Sequence, residues 1–129
     1  MGEATMEFTT LGGATVQRTD QNAILLFPEE ADVRNCDDLH TASRRLLDEG
    51  VLSLILDLTG CHFCDSSGLN VILRTYVRAR TTGTRLSIRL PEQGMVRRTC
   101  SIAGVTRMMP VELAAPPSAG EPAGRRFNR

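Results

Sequence analysis

The chain has 129 residues, room for one domain of ordinary size and too few for two. Its 15 Lys and Arg balance its 15 Asp and Glu, so composition supplies no general attraction to nucleic acid or to an anionic membrane. A neutral surface of this kind favours a protein or small-molecule partner.

The N-terminal stretch "MGEATMEFTTLGGATVQR" lacks a basic start followed by an apolar run, and is read as neither signal peptide nor membrane anchor; Met-Gly alone is too little for myristoylation. The expectation is a cytoplasmic protein whose four cysteines stay reduced. Residues 1–13 show little apolar periodicity and are expected to form a flexible tail. "ATVQRT" and "AILLF" are short strands separated by "DQN", whose Asp20 and Asn22 suit a hairpin turn. After Asn35, "CDDLHTASRRLLDEG" reads as a helix with Asp37 and Asp38 in its first turn and Gly50 at its exit. Leu39, Ala42, Leu46 and Leu47 recur at helical spacing and form its buried face, leaving Arg44, Arg45 and Asp48 wet.

"VLSLILDL" is apolar on both alternate faces, as expected of a central strand covered on each side. Beyond it, Leu69, Ile72, Leu73, Tyr76 and Val77 mark an amphipathic helix that ends before Gly83. "RLSIRL" alternates as another strand, "PEQGMVRRTCSIAG" reads as a helix opened near Pro91 and closed by Gly104, and "MMPV" is a short final edge strand. The globular unit spans 14–113. The Pro-, Gly- and Ala-rich remainder, 114–129, is expected to be a second flexible tail whose Arg125, Arg126 and Arg129 are a solvated basic end.

Between the central strand and the second helix lies "GCHFCDSSGLN". Cys61 and Cys64 have the spacing of a redox or metal motif, whereas Asp65, Ser66, Ser67 and Gly68 resemble the polar opening of a helix. A structural zinc needs four convergent ligands; His62, next to Cys61, cannot readily share the geometry of two flanking thiolates, and Cys36, His40 and Cys100 fall on other elements. His40 reads as a surface or boundary residue. A thiol at a helix start can have a lowered pKa, which leaves redox sensing by Cys64 as a minor reading. The serines have three readings: a helix cap contributing about 1 kcal/mol, a nucleophile, or a hydroxyl that receives phosphate from a kinase. The nucleophile is the weakest, because only His40 and His62 could serve as base and no Gly-x-Ser-x-Gly elbow is present.

These residues resemble the STAS family, specifically its soluble anti-sigma factor antagonists. The resemblance runs from Thr15 to about Val111 and is most specific in "LILDLTGCHFCDSSGLNVILR", where an apolar strand, a short loop, Asp65-Ser66-Ser67-Gly68-Leu69 and an amphipathic helix follow at the family's spacing. "PEQGMVRRTCSIAG" is similar to the family's third helix. Where the family usually has Gly-Glu-Leu-Asp, the chain has Glu29-Glu30-Ala31-Asp32, with Glu29 in place of the glycine. The fold implied is α/β: a STAS-like mixed β-sheet with packed helices, in the order βαβαβαβ after an N-terminal strand.

The resemblance places Cys61, Cys64 and Cys100 at positions that usually carry aliphatic side chains, so all three are expected to be buried hydrophobes. It implies a non-enzymatic regulator without a cofactor or metal of its own. Unphosphorylated, such a protein binds an anti-sigma factor and releases a sigma factor. Ser66, the first serine, is the implied phosphorylation site; the anti-sigma factor acts as an ATP-binding serine kinase, and a separate serine phosphatase resets it. The expected partner surface is Glu30, Asp32, Val33, Arg34 and Asn35 with Asp65, Ser66, Ser67 and Gly68, and the outward residues Asn70, Val71 and Arg74 of the second helix. Direct nucleic-acid and membrane contacts are not expected. The alternative is a non-phosphorylated STAS scaffold or ligand-sensing module of a larger signalling complex, in which the serine is only a cap.

Overall fold

A computed structural model describes residues 6–11 and 13–112. Its strands are β1 (Met6–Leu11), β2 (Ala14–Thr19), β3 (Asn22–Leu26), β4 (Glu30–Ala31), β5 (Ser53–Asp57), β6 (Phe63–Cys64), β7 (Arg85–Arg89) and β8 (Val111–Glu112). The helices are α1 (Cys36–Asp48), α2 (Ser66–Thr82), α3 (Met95–Ile102) and the single turn α4 (Val105–Met108). The main sheet has the order β1-β2-β3-β5-β7-β8; β4 and β6 make a separate two-stranded ladder. Pairing is antiparallel from β1 to β3 and parallel from β3 to β8, a mixed sheet as expected.

The hairpin forms as read, with Thr19 opposite Asn22 and Asp20 taking a positive φ of 54° in the turn. Short polar side chains tolerate that left-handed conformation better than most. Part of the expected N-terminal tail is instead a strand: Met6–Leu11 pairs with the whole of β2, from Met6 opposite Thr19 to Leu11 opposite Ala14. Edge pairing is driven by backbone hydrogen bonds and leaves little apolar pattern to read. The C-terminal tail, residues 114–129, lies outside the described residues.

Helices α1 and α2 pack side by side on one face of the sheet. Leu25, Leu54, Leu56 and Ile88 from the strands meet Leu39, Leu46, Leu47 and Ile72 from the helices, all buried. The central position of β5 is as expected, but its two faces differ: Leu54 and Leu56 are buried while Ser53 and Ile55 are only half-buried. On α2 the apolar stripe is rotated from the expected one. Val71, Ile72, Thr75 and Ala79 are buried, Leu73 and Tyr76 are half-buried, and Val77 is exposed. Helix α3 begins at Met95 rather than near Pro91, because Gly94 before it has φ 107°, incompatible with a helix interior.

Candidate functional site

The short β4–β6 ladder exists because two loops are zipped together. Glu30 pairs with Phe63 and Ala31 with Cys64, and the Glu29 carbonyl accepts from His62 N at 2.7 Å and Phe63 N at 3.2 Å. Among described non-glycine residues only Asp20 has a positive φ, so Glu29 occupies its position without the strain that a glycine-requiring turn would impose. Asp65 N then donates to Ala31 O at 3.2 Å, bringing the start of α2 against β4. Gly68 closes the junction. A Cβ there would lie 2.7 Å from Ala31 O, 2.8 Å from Cys64 Sγ and 2.9 Å from Ala31 Cβ, so only glycine lets the helix approach this closely.

At the α2 start the expected serine cap is replaced by an aspartate cap. Asp65 is the N-cap residue, and its Oδ1 accepts from Ser67 N at 2.8 Å and Gly68 N at 3.2 Å. Ser66 is the first helical residue; its side chain is exposed and takes no part in the cap. Geometry explains the exchange, because the capping residue needs extended backbone, which Asp65 has at φ −91° and ψ −168°.

The facing loop precedes α1. Arg34 donates from Nε to Asp32 Oδ1 and Oδ2, both at 3.1 Å, and from Nη2 to Asp32 Oδ2 at 2.6 Å and Glu30 Oε1 at 2.7 Å. The hydrogen bonds from Arg34 hold the Asp32 carboxyl below its ordinary 3.8, and Asp32 raises the Arg34 pKa in turn. Asn35 ties the loop from the other side: Oδ1 accepts from Asp32 N at 3.1 Å, and Nδ2 donates to Glu30 O at 2.7 Å. Asn35 is thus the N-cap of α1 by position, with no side-chain bond to the helix.

The structure brings the expected partner residues together unequally. Glu30, Val33, Arg34, Ser66, Asn70 and Arg74 are exposed, and Asn35, Asp65 and Ser67 half-buried. Asp32 is buried and engaged by Arg34. Gly68 and Val71 are buried as well. Val71 therefore leaves the expected surface: it lies on the core side of α2 with Ile72 and Thr75. Phe63 was missed in the sequence. It is 40% exposed, paired with Glu30 and one residue from buried Cys64. Strand alternation carried the signal, since assigning Cys64 inward assigns Phe63 outward.

Cys61, Cys64 and Cys100 are buried, as expected of small hydrophobes, and Cys36 is half-buried; all four are free thiols. Burial pushes Cys64 up to about 12 and Cys100 to about 11. A lowered thiol pKa at the helix start, the premise of redox sensing by Cys64, is therefore reversed, with desolvation by burial the largest cause. Among the described residues no group of His, Cys, Asp and Glu side chains is placed to hold a metal ion, and no helix is long and apolar enough to cross a membrane. His40, half-buried between α1 and α2, has its pKa lowered by burial and by the charges of Arg74 and Arg44.

The fold is similar to several solved structures. An anti-sigma factor antagonist from Mycobacterium paratuberculosis superposes with a TM-score of 0.68 at 19% identity, covering 76% of this chain and 82% of that one. The anti-sigma factor antagonist SpoIIAA in its unphosphorylated form gives 0.64 at 14% identity, covering 86% and 89%. The Bacillus cell fate determinant SpoIIAA in its phosphorylated form gives 0.60 at 13%, covering 86% and 92%. At these identities the likeness is one of fold. A comparison with curated proteins gives no match. The STAS domain model matches residues 14–115, which takes in every element from β2 to β8 and the whole Asp65–Gly68 junction; the chain belongs to the STAS domain family.

Proposed function

We propose that this protein is an anti-sigma factor antagonist: unphosphorylated, it binds an anti-sigma factor and frees a sigma factor, and phosphorylation of Ser66 switches binding off. The anti-sigma factor acts as the ATP- and Mg²⁺-dependent serine kinase, and a separate phosphatase restores the hydroxyl. The observation that carries the reading is the division of labour between Asp65 and Ser66. Asp65 supplies the helix cap, so the Ser66 hydroxyl is exposed and can be modified without removing a structural bond.

The energetics support a switch of binding rather than of folding. Phosphate adds about −1.5 to −2 charge beside Asp65, and the helix N-terminus returns about 0.3–1 kcal/mol of it through the dipole. Like charges closed inside an interface cost several kcal/mol. A net loss of about 3 kcal/mol weakens affinity more than a hundredfold. The existence of both phosphorylated and unphosphorylated forms of a protein with this fold supports the tolerance of the architecture for such a group. The surface offered to the partner is Glu30, Val33, Arg34, Asn35, Ser66, Ser67, Asn70 and Arg74, with Phe63 added and Asp32, Asp65 and Gly68 holding it in shape.

The test is affinity for the cognate anti-sigma factor. Ser66→Ala should bind as tightly as wild type and persist in the presence of ATP. Ser66→Asp, with about half the charge of a phosphate, should bind more weakly than wild type but better than the phosphoprotein. Equal affinity for wild type, both variants and the phosphoprotein would sink the switch and favour a scaffold role.

A further inference from the structure

Away from the Asp65–Gly68 junction, a groove of about 380 Å³ runs along the seam between α1 and α2. We propose that this groove is a docking site for an acidic, partly apolar peptide segment of a protein partner, whose carboxylates meet Arg44, Arg74 and Arg78. The proposal goes beyond the phosphorylation switch and stands without it.

Helix periodicity builds the groove. On α2, Ser66, Asn70, Arg74 and Arg78 follow at spacings of four and form one row, so the groove continues from the candidate surface and shares Arg74 with it. On α1, His40, Arg44 and Asp48 form the facing row. The rows run the same way: Asp48 binds Arg78 at 2.7 Å at one end, and His40 feels the charge of Arg74 at the other. Below them the Thr75 and Ser43 hydroxyls, 3.0 Å apart and buried, fix the two helices together.

The charge is uneven. Among the described residues lining the groove there is no carboxylate; Asp48, just beyond its end, binds Arg78 and lies 4.0 Å from Arg44. Arg74 is exposed and, among the described residues, takes part in no ion pair. A chain with no net charge has therefore concentrated positive charge here. The wall between these cations is apolar: Leu73 is half-buried, and Val77 is 63% exposed. A bare inorganic anion makes no use of Val77, and a purely apolar ligand leaves Arg74 without a partner and Arg44 and Arg78 sharing one carboxylate. A segment that interleaves carboxylates with aliphatic side chains satisfies both, and arginine forks match carboxylates two bonds at a time.

The probes are a short capped peptide of glutamate and leucine, its lysine–leucine counterpart, and inorganic phosphate, each titrated into the folded protein and followed by backbone amide and His40 imidazole resonances. The glutamate peptide should shift amides along the His40–Asp48 and Leu73–Thr81 seam, weaken as salt rises, and lose at least tenfold in affinity with Arg74→Glu while the rest of the spectrum is unchanged. His40 reports the same event. Arg74 and Arg44 help to depress its pKa against the opposing pull of Asp37, so neutralising them with carboxylates should move it upward. The proposal is overturned if the seam does not respond, if the lysine peptide shifts it equally, if phosphate alone reproduces the pattern, or if Arg74→Glu titrates like wild type.

Discussion

At the start of α1 the polar side chains turn backward into the preceding loop, whereas at the start of α2 they turn forward onto the helix. Asn35 spends both ends of its amide on Asp32 and Glu30, and Arg34 clamps Asp32 and Glu30 from the opposite side, leaving the first turn of α1 without a side-chain cap. Asp65 does the reverse: its carboxylate takes two amides of α2, and its own amide anchors on Ala31. The first device fixes the shape of a loop. The second fixes a helix end and leaves the adjacent serine unneeded for stability, which is the condition a modification site has to meet.

The largest effect that can break this comparison is at the junction. Gly68→Ala should cost about 1–3 kcal/mol, because its new methyl meets backbone and a buried sulfur rather than a flexible side-chain end. Gly60→Ala is the control: nothing lies within 4 Å of the added Cβ and the position is exposed, so thermal unfolding should stay near wild type. Equal destabilisation would mean that the tight seat at Gly68 is not what holds α2 to β4.

Next is the cap itself. Asp65→Ala should lose about 0.5–2 kcal/mol in denaturant unfolding, whereas Ser66→Ala should stay within about 0.5 kcal/mol of wild type. The opposite order would return the cap to the serine and remove the structural argument for a free hydroxyl.

The smallest effect tests the α1 side. Asp32 has a folded pKa below its ordinary 3.8, so the stability it contributes is present above that value and is lost as pH falls through the folded pKa. Arg34→Gln removes the main cause. Its melting temperature should fall below wild type near neutral pH, and the gap should close as the pH drops beneath about 3.8. The gap stays modest because the Arg34 side chain is 70% exposed and screened by solvent. A gap that widens in acid would contradict the pairing.

Much of this arrangement is legible in the sequence. Apolar patterning located the core strand and the first two helices, because the buried residues Leu39, Leu46, Leu54, Leu56 and Ile72 repeat at the spacings their elements require. The Asp65-Ser66-Ser67-Gly68 run announced a helix opening. What it could not give was which of neighbouring capping residues faces the amides; that depends on the backbone angle at Asp65, set by pairing with Ala31 from a distant loop. The same long-range pairing turned Phe63 outward. Val71 and Val77 were exchanged because a stripe of apolar residues nearly covers α2, and only contact with α1 and the sheet decides the rotation. The β1 strand escaped because edge pairing rests on backbone hydrogen bonds.

The most direct test of the central claim is to map phosphate on the intact protein after incubation with its cognate anti-sigma kinase, ATP and Mg²⁺, for wild type, Ser66→Ala and Ser67→Ala. Wild type and Ser67→Ala should each take up stoichiometric phosphate on Ser66 and keep their fold, and Ser66→Ala should take up none. Phosphate on Ser67 in wild type, or incorporation into Ser66→Ala but not Ser67→Ala, would contradict the assignment of Ser66 as the switch.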